Sequence, residues 1–355
     1  MIGKRIRRAR AAAALSMQAL GEQVGVSANM IKKYEHDVSM PSSSVLISLC
    51  KTLGVRSEYF FRPVSVTLSG VKYRTRANTP AAVLKRIEAD VLDQAERWQE
   101  LANLWPAFPI PAFTGIDDIS ERIATLEEVE QAADKLRENW QLGLNPLPDL
   151  VDVLESNGVL VIITKVDELD KFDGLQAMVS EQPVVVVSSN WPGDRQRFTL
   201  AHELGHLLLD SRLTPELDHE KACNRFASAL ILPAAGIRRY LGEKRHNLEA
   251  RELYLLKHDF GISMMACLHR AFELDIIDKT VHQRLLKVFS SQGWRKREPG
   301  KAYLQVHTSL FQQLVCRALG EGIISESKAA ELLQIPLTRF HQVRKLKLFD
   351  AHTHL

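Results

Sequence analysis

The chain has 355 residues, 45% apolar and 25% charged, with 46 Lys and Arg against 43 Asp and Glu for a formal net charge of +3. That length predicts two or three domains, and the composition is that of a globular protein rather than a disordered or fibrous one. The longest apolar runs, such as Val184 to Val187, fall far short of a membrane span, and no apolar segment follows the Arg-rich start, so no membrane contact and a cytoplasmic location are expected.

Four cysteines (Cys50, Cys223, Cys267, Cys316) are scattered without a C-x-x-C pair, which reads as reduced thiols rather than a disulfide framework. Charge is unevenly distributed. Residues 1–80 hold 13 Lys and Arg against 4 Asp and Glu, while the rest holds 33 against 39. A basic segment on an acidic body is the electrostatic footprint of a nucleic-acid contact.

Residues 1–61 carry short helical patterns with compact turns. Ile2 to Ala14 is basic with Ile6 on its apolar side; Ser16 caps a second helix that stops at Gly25; Ser27 caps a third, Ala28 to Glu35; Pro41 and Ser42 open another, ending at Gly54. Leu15-Ser16, Leu20, Gly25-Val26-Ser27, Ile31, Tyr34-Glu35, Pro41 and Leu53-Gly54-Val55 resemble the XRE-type, phage-repressor-like helix-turn-helix domains. The resemblance implies a five-helix DNA-binding domain over 1–61, with Ser27, Ala28, Asn29, Lys32 and Lys33 facing the major groove or its phosphates. Met17 stands where the family often has glutamine, Gly21 where it has alanine and Asp37 where it has glycine. Gly21 is expected to loosen its helix, and Asp37 to tolerate a left-handed backbone.

Residues 62–110 read as a linker or a short extended segment followed by a long helix. Up to Asn78 the stretch lacks helical periodicity; then Thr79 as N-cap and Pro80 open a helix to about Trp105 with a stripe of Leu84, Ile87, Val91, Trp98, Leu101 and Trp105. The stripe either packs within the chain or joins a second subunit in a homodimer. Pro106, Pro109 and Pro111 then lead into a central domain over 111–300. Helical patterns at Leu126–Trp140 and Asp149–Ser156 precede three strand-like runs, Val159–Thr164, Gly174–Val179 and Pro183–Ser188. Asn190 to Asp194 forms the next turn, with Asp194 as a helix cap.

Phe198 to Leu209 is an amphipathic helix on which His202 and His206, four apart, project to one side with Glu203 beside them. In this H-E-x-x-H pattern the imidazoles hold a zinc ion and the glutamate is the general base toward water. A further helical pattern, from about Leu217 to Leu232, offers Glu220 as third ligand, as in thermolysin-type zincins, and Asn224 four places on to orient a ligand imidazole. His219 and Asp218 compete with Glu220 for that role. Val184, Val185, Val186, Val187 and Ser188 would offer backbone groups to a substrate strand if that run edges the cleft. Tyr240, Tyr254, Arg238 and several histidines are candidates to stabilise an oxyanion.

Arg197 to His206, the Glu220 to Pro233 segment and the preceding valine strand resemble the ImmA/IrrE metallopeptidases, whose members commonly carry an XRE domain in front. Cys223 replaces a usual alanine and Ile231 a common leucine. The resemblance implies a zincin-like domain with Zn²⁺ or Mn²⁺ as cofactor, an endopeptidase activity directed at a helix-turn-helix repressor or antitoxin, and control of stress, mobile-element or phage-related genes; a regulator whose metal site only senses or supports is the other reading. His246, His258, His269 and His282 show no paired spacing and are read as structural. Residues 301–355 form a helical C-terminal module with caps at Ser325 and Thr338, ending in His352 and His354. The expected class is mainly α with a small β-sheet, α+β.

Overall fold

A computed structural model describes residues 2–62, 66–75, 79–116, 119–165 and 172–345; His352 and His354 lie outside them. The head comprises α1 (Ile2–Ala12), α2 (Met17–Val24), α3 (Ala28–Glu35), α4 (Ser43–Leu53) and α5 (Ser57–Phe61). The hydroxyls of Ser16, Ser27 and Ser42 accept the N–H three residues on, and Gly25 and Gly54 end their helices in the left-handed conformation. Ile6, Leu20, Ile31, Leu49 and Phe60 form its core. Two departures from the family pattern acquire physical reasons here. A Cβ at Gly21 would lie 2.6 Å from the Val26 carbonyl oxygen, so glycine lets the turn fold back onto α2. Asp37 adopts φ +56° and its carboxylate accepts the Gly3 N–H at 2.8 Å, which pins α1 to the end of α3.

The body begins with β1 (Leu68–Thr75) and α6 (Ala81–Leu104), followed by α7 (Leu126–Asn139), α8 (Leu150–Ser156), β2 (Leu160–Thr164), β3 (Phe172–Val179) and β4 (Gln182–Ser188). Then come α9 (Gly193–Leu209), α10 (His219–Ile231), α11 (Ala234–Leu241), α12 (Ala250–Phe260), α13 (Met264–Glu273), α14 (Lys279–Ser291), α15 (Leu310–Gly320), α16 (Glu326–Leu332) and α17 (Leu337–Arg344). The sheet order is β1-β3-β4-β2, with β2 parallel to β4 and the other pairs antiparallel. An α+β fold, mainly helical with one small sheet, results.

The valine run is explained by this topology. Val185 and Val187 pack with Leu200 and Leu204 of α9, while Val184 and Val186 face Trp98 of α6 and Val315 of α15. A strand buried on both faces has no reason to alternate. It also corrects one expectation: Val184, Val185, Val186, Val187 and Ser188 do not edge a cleft, because β4 pairs with β2 on one side and β3 on the other and its backbone groups are committed. Of the two readings of the stretch before α6, linker or short extended segment, the extended one is found: it supplies β1, a fourth strand that lacks the alternation to announce its pairing.

The α6 stripe packs within the chain: Ile87, Val91, Trp98, Leu101 and Trp105 share a core with one sheet face and with α15, α16 and α17. Prolines open several helices where other caps were expected, Pro80 rather than Thr79, Pro192 rather than Asp194 and Pro336 rather than Thr338. The head is bolted to α6 through Arg5 and Arg8, both paired with the buried carboxylate of Glu96.

Candidate metal centre

The local sequence positions α9 tightly. Gly193 donates to the Tyr303 carbonyl at 3.3 Å, and a Cβ there would fall 1.7 Å from the Leu304 oxygen, so only glycine lets the 303–306 segment cross the helix start. Arg197, 2% exposed, donates to the Leu147 carbonyl at 2.6 Å, and Asp194 pairs with Lys257 at 2.9 Å. At Gly205 a Cβ would lie 3.1 Å from the Phe226 ring and 3.4 Å from Cys223 Cα, so the missing side chain lets α10 cross close to α9. That crossing brings the first turn of α10 to the two histidines.

His202 Nε2 and His206 Nε2 lie 3.1 Å apart, and the Glu220 carboxylate oxygens lie 3.4 Å from each. The His202 side chain is fully buried, that of His206 10% exposed and that of Glu220 67% exposed, so the cluster opens to solvent on the Glu220 side. Glu203 is buried against β3, its Cγ 3.7 Å from where a Gly174 Cβ would sit. Asn224 Oδ1 lies 3.0 Å from His202 Nδ1.

Asp210 was missed in the sequence, although its spacing of four from His206 on the same helix would have found it. Its oxygens lie 3.0 and 3.1 Å from His206 Nδ1, and 3.3 Å separates it from His219 Nδ1. Burial pulls the His206 pKa down, but Asp210, Glu203 and Glu220 outweigh it and the net shift is upward. The rival ligands are otherwise engaged: Asp218 caps α10 by accepting the Lys221 N–H at 3.1 Å, and His219 sits against Asp210. Tyr240 packs edge-on against Phe260, Tyr254 accepts the Lys301 N–H, and Arg238 pairs with Glu243.

The donor set fits a divalent cation. Both Nδ1 atoms face oxygen acceptors, which places the ring protons there and leaves two Nε2 lone pairs converging on each other and on a carboxylate. Such a cluster of acceptors is repulsive until a cation sits between them. Among the described residues a second grouping, His206, Asp210 and Cys223, shares His206, and its Asp210 is already hydrogen-bonded to that ring.

A family model described as the IrrE N-terminal-like domain matches residues 154–272, and one described as a helix-turn-helix domain matches residues 3–66. The chain joins a helix-turn-helix head to an IrrE-like domain. All four candidate ligands and helpers, His202, His206, Glu220 and Asn224, fall inside the IrrE-like match. A curated relative, an uncharacterized transcriptional regulator in the ATPase CF(0) region of Rhodospirillum rubrum, is 38% identical over 60 residues, 17% of this chain; the match spans just over half, 56%, of that protein. A crystal structure of Bacillus thuringiensis PlcR with the peptide PapR7 and DNA aligns over 98% of this chain and 99% of its own at 10% identity, with a TM-score of 0.17.

On the head, Ser27, Ala28, Asn29, Lys32 and Lys33 are all exposed, along one side of α3 and its cap. Ile31 and Tyr34 of the same helix turn into the core. No helix among the described residues is long and apolar enough to cross a membrane.

Proposed function

We propose that the IrrE-like domain is a zinc-dependent endopeptidase and that the head binds DNA, the pair acting on a partner helix-turn-helix repressor or antitoxin. The observation that carries this reading is the convergence of His202, His206 and Glu220 with Glu203 between the histidines in sequence and buried beside β3. A purely supportive metal site has no use for an additional carboxylate on that turn. Zinc is favoured by the imidazole pair, and manganese is the competing ion. Bound there, the cation supplies Lewis-acid chemistry toward a peptide carbonyl. Asn224 and Asp210 hold the imidazole planes, Glu203 takes the proton from the attacking water and passes it to the leaving amine, and Glu220 keeps the third donor at the open side of the cleft.

The head reading rests on the exposed row Ser27, Ala28, Asn29, Lys32 and Lys33 and on the basic excess of the first 80 residues. Incubating the full chain and zinc with purified XRE-type helix-turn-helix repressors from the same genome tests the peptidase reading, with products identified by mass spectrometry. Discrete fragments that disappear with chelator support it. An intact partner, together with a mobility shift of promoter DNA that depends on Lys32 and Lys33, favours the regulator that cuts nothing.

A further inference from the structure

The cleft is bordered by a strand from outside the IrrE-like match. Successive residues on a helix are 100° apart, which orders the neighbours of α9 around its circumference. Gln196 reaches the Ser188 carbonyl at the end of β4 at 2.9 Å, Thr199 and Glu203 abut Gly174 of β3, and His202 and His206 come next in the same sense of rotation. The sheet runs in that sense too, β4, β3, β1. The ligand face of α9 therefore lies on the β1 side of β3, and at the usual spacing of about 4.8 Å between strands β1 is the backbone that borders the cleft.

An extended polypeptide docks on a sheet by pairing with an edge. The far edge, β2, lies away from the ligands, and the buried Glu155 carboxyl takes its Val161 N–H. The outer edge of β3 is the place beside the ligands, and there β1 pairs antiparallel, with Tyr73 opposite Leu175 and Arg74 opposite Gly174. We infer that β1 is an intrasteric strand: it occupies the position on β3 at which an extended stretch of protein substrate would pair, and cleavage requires it to leave.

This inference rests on the peptidase reading above. Three features suit a strand built to detach. Its register slips twice, between Ser69 and Lys72 and between Arg74 and Thr75, with Gly70 at φ +60° in the first break. It lies outside the 154–272 match, so the IrrE-like domain is closed by a segment from elsewhere in the chain. It also lies in sequence between the head and α6, the two elements that Glu96 joins.

The test uses the full-length chain carrying Lys72→Pro and Tyr73→Pro together. Amides alternate in direction along a strand, so two adjacent prolines remove whichever one points at β3. Hydrogen exchange of β3 amides 174–178 should speed by about tenfold or more while α9 and α12 stay protected, and a synthetic peptide of residues 66–75 should restore slow exchange. With zinc present the variant should cut a helix-turn-helix repressor that the wild type cleaves several-fold faster than the wild type does. Unchanged β3 exchange, loss of protection in α9 and α12 as well, cutting by both proteins at equal rates, or cleavage of the chain within its own β1 would each overturn the inference. Exchange that behaves as expected while neither protein cuts would overturn the peptidase reading and leave β1 as a detachable strand.

Discussion

Asp210 Oδ1 lies 3.0 Å from Nδ1 of His206, one turn along the same helix, and 3.3 Å from Nδ1 of His219. A carboxylate in that position fixes the ring's tautomer and makes its other nitrogen a better donor. Asp210→Ala should therefore weaken zinc binding by about 10- to 100-fold, read by competition with a chromogenic chelator. Unchanged affinity would show that helix geometry alone holds His206.

The strap over α9 predicts a site of structural failure. Gly193→Ala places a methyl 1.7 Å from the Leu304 oxygen, so residues 303–306 must lift and surrender the hydrogen bonds from Gln305 and Val306. We expect a loss of about 1–3 kcal/mol and new proteolytic nicking between residues 299 and 309, detected by limited proteolysis. A variant as resistant as the wild type would contradict this.

Glu96 sits between Arg5 and Arg8, and the side chains of Arg5 and Glu96 are 1% and 7% exposed. Glu96→Ala strands a buried guanidinium and should cost about 3–5 kcal/mol in urea unfolding. Replacing Arg5 and Glu96 together by methionine should recover much of that loss, because the charges then no longer need burying in pairs.

Glu155 is 2% exposed, and burial with Asp149 and Asp152 nearby pushes its pKa up to about 8 from 4.5. The folded state thus holds a proton that the unfolded state releases, so stability falls as pH rises through that window, by at most about 1.4 kcal/mol per pH unit. Glu155→Gln should flatten this dependence between about pH 4.5 and 8. A slope unchanged from the wild type would assign it to another group.

Much of this was legible in the residues. Ser16, Ser27 and Ser42 announce three helix starts because their hydroxyls are caps, and His202, His206 and Glu220 announce a cluster because ligand chemistry constrains spacing. What stayed open or escaped depends on partners distant in sequence. β1 exists because β3 offers it an edge, and its bulges erase the alternation that would mark a strand. Val184 to Val187 read as a cleft edge because apolarity does not say how many neighbours a strand has; two did. His269 and His282, 13 residues apart and read as unpaired, meet at 3.1 Å only because α13 and α14 fold together.

Under the proposed function, Glu203 performs peptide cleavage beside a metal held by His202, His206 and Glu220. The most direct test of that role is Glu203→Gln, compared with the wild type at equal, measured zinc content, against purified helix-turn-helix repressors from the same genome. Glutamine keeps the shape but cannot accept the proton, so full zinc occupancy with cutting reduced by about 10²-fold or more is expected. Cutting at the wild-type rate with zinc in place would contradict the account.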